Sequence, residues 1–177
     1  MGYIESGSHN FAILKEEILS RSNSKVWESA VGEWDLDHIF TIERNEEGGG
    51  VIGHGYGVCL CSHQPIVEHC VLKNQANGNE AIVGNVCVKR FMGIDYSLLF
   101  DGVSRIRKDI KKAANSALIQ FVHARGEITD WELGFLSDTK SKRMLSAKQR
   151  AARQRINRKI LVYLDDCAID AQKKSRD

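Results

Sequence analysis

The stretch CLCSHQPIVEHCVLKNQANGNEAIVGNVCVKRF, residues 59–91, decides how this chain is read. It opens on a C-x-C pair, Cys59 and Cys61, with His63 two positions on. An extended run from Pro65 to Lys73 follows, then the turn-forming string Asn74 to Asn79, then a second extended run from Glu80 to Val83. Two such runs joined by Asn and Gly make a hairpin. Gly84 and Asn85 stop the second strand, Asn85 offers a helix cap, and the sequence predicts a short helix that carries Cys87 and ends near Gly93. The hairpin therefore lies inside a cysteine cluster, and its return brings Cys87 back toward Cys59 and Cys61.

Four of the five cysteines fall between positions 59 and 87, while Cys167 stands alone on a later apolar stripe and reads as core. No window approaches the roughly 18 to 20 apolar residues of a membrane span, and Met1 to Ser8 lacks the pattern of a secretory signal, so no membrane and a cytoplasmic setting are expected. In a reducing compartment clustered thiols point to metal rather than to disulfides. The metal expected by default is zinc, which takes about four N or S ligands in a tetrahedron. Cys59 and Cys61 would come from the turn and Cys87 from the first turn of the helix, whose partial positive charge favours a thiolate. For the fourth ligand Cys70 has the better chemistry and His63 the better position. Cys70 is slightly preferred, although it shares a strand face with Ile66 and Leu72 and would also suit a plain core. A redox C-x-C lacks a thioredoxin-like βαβ frame. A catalytic metal would need an open position beside a base such as Glu68 or His69, and there are thiols enough to close the site.

Working outward, Ser8 can cap a helix in which Phe11, Leu14, Ile18 and Leu19 recur at helical spacing up to residues 22–24, and a short turn follows at 26–31. Residues 34–42 alternate with period two, which puts Trp34, Leu36, Phe40 and Ile42 on one face of a strand. Gly48, Gly50 and Gly53 satisfy G-x-G-x-x-G, but a cysteine turn follows where a dinucleotide site needs a helix, so 45–57 reads as a surface loop whose His54 and Tyr56 could touch a partner. Beyond Asp101 one long helix is expected, with Val103, Ile106, Ile110, Ala114, Ala117, Phe121 and Ala124 on its apolar stripe and Gly126 as its stop. Thr129 with Glu132 and Ser146 with Gln149 are capping boxes for two further helices; in the last, Ile156, Ile160, Tyr163, Leu164 and Cys167 face inward and the end frays after Asp170. The fold class expected is α+β, a small β-hairpin zinc module at 34–100 between an N-terminal helical segment at 1–33 and a basic helical subdomain at 101–177.

The net charge of +2 hides an asymmetry: residues 1–100 hold 7 basic and 13 acidic side chains, residues 101–177 hold 18 and 10. Nine cations, Lys140, Lys142, Arg143, Lys148, Arg150, Arg153, Arg155, Arg158 and Lys159, follow one another without an acid. Such a run suits salt-sensitive contact with phosphates, and Lys142, Arg143, Lys148, Arg150, Arg155 and Arg158 are the candidate nucleic-acid contacts. The competing reading is a solvated face, or one that neutralises the acidic half. Aromatic residues do not interleave with the run, so single strands are not preferred over duplex. A helix-turn-helix is disfavoured by the long connection from Ser137 to Leu145. Neither the scattered histidines His9, His38, His69 and His123 nor any carboxylate pair or Ser-His-Asp set has the spacing of a catalytic site.

The order of turn, hairpin and helix resembles a treble-clef zinc finger, from which the chain departs by its C-x-C turn and its single helix cysteine. The string Cys59-Leu-Cys-Ser-His63, Cys70-Val-Leu-Lys-Asn74, Gly78 and Val83-Gly-Asn-Val-Cys87-Val-Lys-Arg-Phe91 resembles small proteins of bacteriophages and other mobile elements, with a C-x-C-G-H turn and a V-G-x-x-C-x-x-x-F helix start. Leu145-Ser-Ala-Lys-Gln149 and Ile156-Asn157 are similar to theirs too; the resemblance covers 34–91 well and the rest weakly. Ser62 stands where that pattern has glycine. The resemblance implies a metal site and a phage or prokaryotic setting, not an activity. The function expected is a non-enzymatic zinc-containing nucleic-acid-binding protein. Its rivals are a phage-encoded inhibitor or adaptor of a host protein complex and, third, a metal-dependent enzyme.

Overall fold

A computed structural model describes residues 9–42 and 57–174. The expected Ser8 cap, the acidic and glycine-rich positions 43–56 with Gly48, Gly50, Gly53, His54 and Tyr56, and the last three residues lie outside them. The fold is α+β, with three antiparallel strands and seven helices among the described residues. The contacts divide the chain differently from the three segments read in the sequence: residues 1–95 join 167–177 in one compact unit, and 96–166 form a second.

The first unit begins with α1 (His9–Arg21) and α2 (Trp27–Val31), where the spacing predicts them. Leu14 and Ile18 are buried, and Phe11 meets Trp27 edge-on at 6.0 Å, which in turn packs against Phe91 at 5.9 Å. The sheet runs in the order β1 (Trp34–Thr41), β2 (Glu68–Asn74), β3 (Glu80–Gly84). Its hairpin tip closes α1: the side-chain amides of Asn77 and Asn79 both donate to the Arg21 carbonyl, at 2.9 and 2.8 Å, satisfying a carbonyl that the helix end leaves open.

The period-two reading of β1 fails at one residue. Leu36 pairs with Leu72 and His38 with Val71, so the register shifts at Asp37, a bulge in β1. One extra residue moves everything beyond it to the other face. Trp34 and Leu36 thus share a face with Ile39, Cys70, Leu72, Ala81 and Val83, whereas Phe40 lies on the opposite face beside His69 and Val71. That second face is covered too: Phe40, Ile42, Val71, Ala168 and Ala171 form one buried cluster. Residues 168 and 171 belong to the final helix, which continues to Lys174 instead of fraying after Asp170, and Cys167 beside them is half-buried rather than core.

The register also explains a buried histidine. The His69 ring stacks on Phe40 at 4.4 Å and 9°, its Nδ1–H donates to the Val67 carbonyl at 3.0 Å, and its Nε2 edge lies so close to Gly57 that a Cβ there would sit 1.6 Å from Nε2. Only glycine fits at 57.

In the second unit the predicted long helix is two. α4 (Ser97–Lys108) ends where Asp109 turns extended, and α5 (Ser116–Ala124) starts afresh from Asn115, whose side chain accepts from the Leu118 amide. The apolar stripe persists across both because each helix is amphipathic by itself; periodicity cannot show a break that Asp109 and Asn115 make with backbone hydrogen bonds. Gly102 lets the two helices close, since a Cβ there would meet Asn115 Oδ1 at 2.6 Å and Leu118 Cβ at 2.8 Å. Gly126 ends α5 at φ 74, with its amide on the His123 carbonyl and that of Glu127 on Val122, a complete Schellman stop. Both capping boxes are present, opening α6 (Asp130–Thr139) and α7 (Ala147–Lys174). No helix of the described residues is long and apolar enough to cross a membrane.

Burial holds the His69 pKa down to about 4, so the folded protein keeps it neutral while the unfolded chain protonates it near 6.5. Its contribution to stability is complete above about pH 6.5 and is lost as pH falls toward 4. His69→Phe, which retains a ring against Phe40, is expected to flatten the pH dependence of the urea midpoint across that window relative to the unsubstituted protein. Parallel pH profiles would show that His69 does not titrate as described.

Candidate metal centre

The site is assembled from a turn, a strand end and a helix start. In the turn the Cys59 amide donates to the His63 carbonyl at 2.9 Å and the Ser62 amide to the Cys59 carbonyl at 2.8 Å, which curls 59–63 back on itself. This curl puts Ser62 at φ 67, the left-handed region that favours glycine. The Leu60 amide bonds the Ile82 carbonyl at 3.0 Å, pinning the turn to β3, and the Ile66 amide bonds Gly57 at 2.9 Å, closing the loop behind it. The Gln64–Pro65 peptide is cis. β3 runs without a gap into α3 (Asn85–Met92), which ends at Gly93 in the left-handed conformation as its sequence predicts. The cap differs from expectation: Gly84 occupies the N-cap position and Asn85 is the first helical residue. The Asn85 side-chain Nδ2 instead donates to Glu68 Oε2 at 3.1 Å, tying α3 to β2.

These connections bring Cys59, Cys61 and Cys87 together, with all three sulfurs within 4.8 Å of one another and 3.3 Å between those of Cys61 and Cys87. Four thiolates around a zinc-sized ion at about 2.3 Å stand about 3.8 Å apart, so the group is of the size that holds a metal. Cys59 and Cys61 are buried and Cys87 is half-buried. The Cys59 thiol is held down to about 6, first by the hydrogen bond from Cys87 and then, against the opposing effect of burial, by backbone amides that include Gly84 at 3.2 Å from its sulfur. Cys87 is pushed up, because it is the donor in that bond and because a second thiolate would sit beside the first. Three thiols this close cannot all ionise alone; a cation among them removes the conflict.

Cys70 is not in the group. It lies on β2 opposite Ile39 and Val83, fully buried, and burial, followed by the charges of Glu68 and Cys59, pushes its thiol up to about 12. The preference for Cys70 as fourth ligand is therefore corrected: its side chain points into the sheet core, the environment of an inert cysteine. His63 is exposed, and with all three cysteines it lines a cavity of about 490 Å³ walled by Phe11 and Leu14 of α1 and by Arg90 of α3.

The basic residues separate into two sets. Lys142, Arg143, Lys148, Arg150, Arg155 and Arg158 are exposed, and among the described residues only Arg150 of these is engaged, donating to the Leu145 carbonyl at 2.9 Å. Arg153, Lys159 and Lys140 are structural: buried Arg153 bonds the Thr139 carbonyl at 2.5 Å, Lys159 pairs with Glu132 at 3.1 Å and Lys140 reaches Ser116 at 2.7 Å. The sequence reading passed over Trp131, which is exposed and stacked on Phe135 at 5.4 Å and 13°; the i, i+4 aromatic spacing on a capped helix was the available signal. Comparison of the chain with protein-family models, curated proteins and solved structures gave no match.

Cys87→Ser and Cys59→Ser are each expected to abolish retention of about one metal ion per chain, read by elemental analysis after gel filtration, while Cys70→Ser retains it. Loss of metal in Cys70→Ser with retention in Cys87→Ser would reverse the assignment. Separately, Ser62→Gly removes a left-handed L-residue and is expected to raise stability by about 0.5–1 kcal/mol in urea melts of the metal-loaded protein. An unchanged or lower midpoint would mean that the turn carries no such strain.

Proposed function

We propose that this chain is a non-enzymatic, zinc-containing protein that binds nucleic acid through the phosphate backbone, with the metal serving the fold. The observation that carries the reading is the set of five exposed cations, Lys142, Arg143, Lys148, Arg155 and Arg158, that have no partner among the described residues. Cations that the fold uses are paired, as Arg153 and Lys159 are; a run of unpaired ones serves a polyanion outside the chain. Arginine suits that role because its planar fork meets phosphate oxygens two at a time.

Zinc is the metal that three clustered thiolates favour. His63 supplies the fourth ligand in this reading, because it shares the cavity with the three sulfurs whereas Cys70 does not. A turn, a hairpin and a helix start around one metal make a treble-clef-like module, and the phage-type pattern of residues 59–91 supports both that assignment and a prokaryotic setting.

Fluorescence anisotropy with generic DNA and RNA tests the reading. Affinity is expected to fall steeply between about 50 and 200 mM salt, and the combined substitutions Arg155→Glu and Arg158→Glu to weaken binding at least about tenfold and lower the salt slope by about two. Binding absent at low salt, or indifferent to salt, sinks the proposal.

A further inference from the structure

We infer that Trp131, backed by Phe135, is a stacking platform for an unpaired base, so that the helical unit takes single-stranded nucleic acid in preference to duplex. This deepens the reading above and rests on it.

A tryptophan of a folded chain ordinarily buries most of its surface, because its large apolar area is costly to leave in water. Trp131 is 60% exposed. Its helix does not need it: α6 is anchored by buried Glu132, Leu136 and Thr139 and opened by the Thr129–Glu132 capping box, both bonds of which form. Phe135, one turn on, covers one face of the indole in a near-parallel stack and leaves the rest to solvent. The ring is therefore held by a rigid, capped first turn and presents a flat π surface outward. Every base has a complementary face, but only an unpaired base can turn it toward a side chain.

Two contacts join the cationic helix α7 to the helix that carries that ring. Lys159 of α7 pairs with Glu132, the neighbour of Trp131, while Arg153 of α7 bonds the carbonyl of Thr139 at the other end of α6. These two contacts run α6 antiparallel to α7. Arg155 stands one helical turn from Lys159, about 6 Å along the same helix, so the exposed indole and the exposed guanidiniums are carried by two helices that these contacts hold side by side. Asp130, the exposed acid beside Trp131, is paired with His123 at 2.8 Å. A polyanion that also offers flat apolar rings is the partner with both properties, and single-stranded nucleic acid is that partner.

The test uses the full chain and labelled oligonucleotides of about 16 nucleotides, one a pyrimidine single strand and one a duplex of equal length. Trp131→Ala is expected to weaken single-strand binding about 5- to 100-fold and to leave duplex affinity within about twofold. Phe135→Leu keeps an apolar packing residue but removes the stack, and should give a smaller loss of the same kind. Arg155→Glu with Arg158→Glu should weaken both ligands. Indole emission should be quenched by the single strand in the unsubstituted protein and not in Trp131→Phe. Equal losses for both ligands in Trp131→Ala, or none, overturn the platform while the phosphate-binding reading stands. Failure of the unsubstituted protein to bind either ligand overturns both, and the exposed indole then belongs to a protein contact.

Discussion

Three sulfurs gathered within 4.8 Å are the constraint that a turn, a strand end and a helix start of the first unit share. As thiols they share hydrogen bonds, with Cys87 donating to Cys61 at 3.3 Å, and as thiolates they repel. Neither state ties a turn, a strand end and a helix start together, whereas a cation among the sulfurs would convert the repulsion into attachment. The backbone gathers the three sulfurs by its own hydrogen bonds. The Leu60 to Ile82 bond fixes the turn against β3, the uninterrupted passage from Gly84 into α3 sets the direction of Cys87, and the Gly84 amide already faces the Cys59 sulfur. The hairpin keeps two elements some twenty-five residues apart in the chain in contact at one point.

Much of this was legible in residues 59–91 because each element there is announced by local chemistry: turn-forming asparagines, a glycine stop, cysteines at the turn and helix start. Capping boxes and the Gly126 stop were legible for the same reason, being short-range hydrogen-bond patterns that side chains specify. What escaped were features made by pairing across the chain. Asp37 is an ordinary strand residue until β2 is laid beside it, and only then does the bulge put Phe40 on the face away from Trp34. Cys70 has the chemistry of a ligand, and it is the register against Ile39 and Val83 that turns it into the core. The break at 109–115 is hidden by two helices whose stripes read as one.

The same bulge accounts for a sheet covered on both faces. Had the alternation of β1 held from end to end, Trp34, Leu36, Phe40 and Ile42 would have shared a single buried face and the other would have been polar. With the shift, Ile39 joins Trp34 on one side and Phe40 joins Val71 on the other, and the alanines near the end of α7 meet the second group. Small residues suit that contact because they let a helix lie close to the sheet. His69 is enclosed by the same arrangement: it is the polar member of a face that became core, and it is accommodated as a neutral ring between Phe40 and Gly57. A histidine in this chain is thus explained by packing, which removes it from the inventory of bases beside the cysteine cluster.

Residues that serve the fold are used up by it, and this is how the charge run divides. Arg153 is buried against the Thr139 carbonyl and Lys159 is engaged by Glu132, so periodicity and charge count alone overstate the free positive surface by these members. Trp131 makes the converse point. A sequence read for core positions assigns aromatic residues to packing by default, yet α6 is anchored without this one, through Glu132, Leu136 and Thr139. An indole left in water costs the isolated protein the hydrophobic gain it would have made inside, and nothing in the helix recovers that cost. A binding partner that stacks on the ring recovers it, and the same partner, if it is a polyanion, also answers the unpaired cations of the neighbouring helix. Two unrelated costs, one apolar and one electrostatic, are relieved by one class of molecule, which is a stronger ground for the assignment than either residue type taken alone.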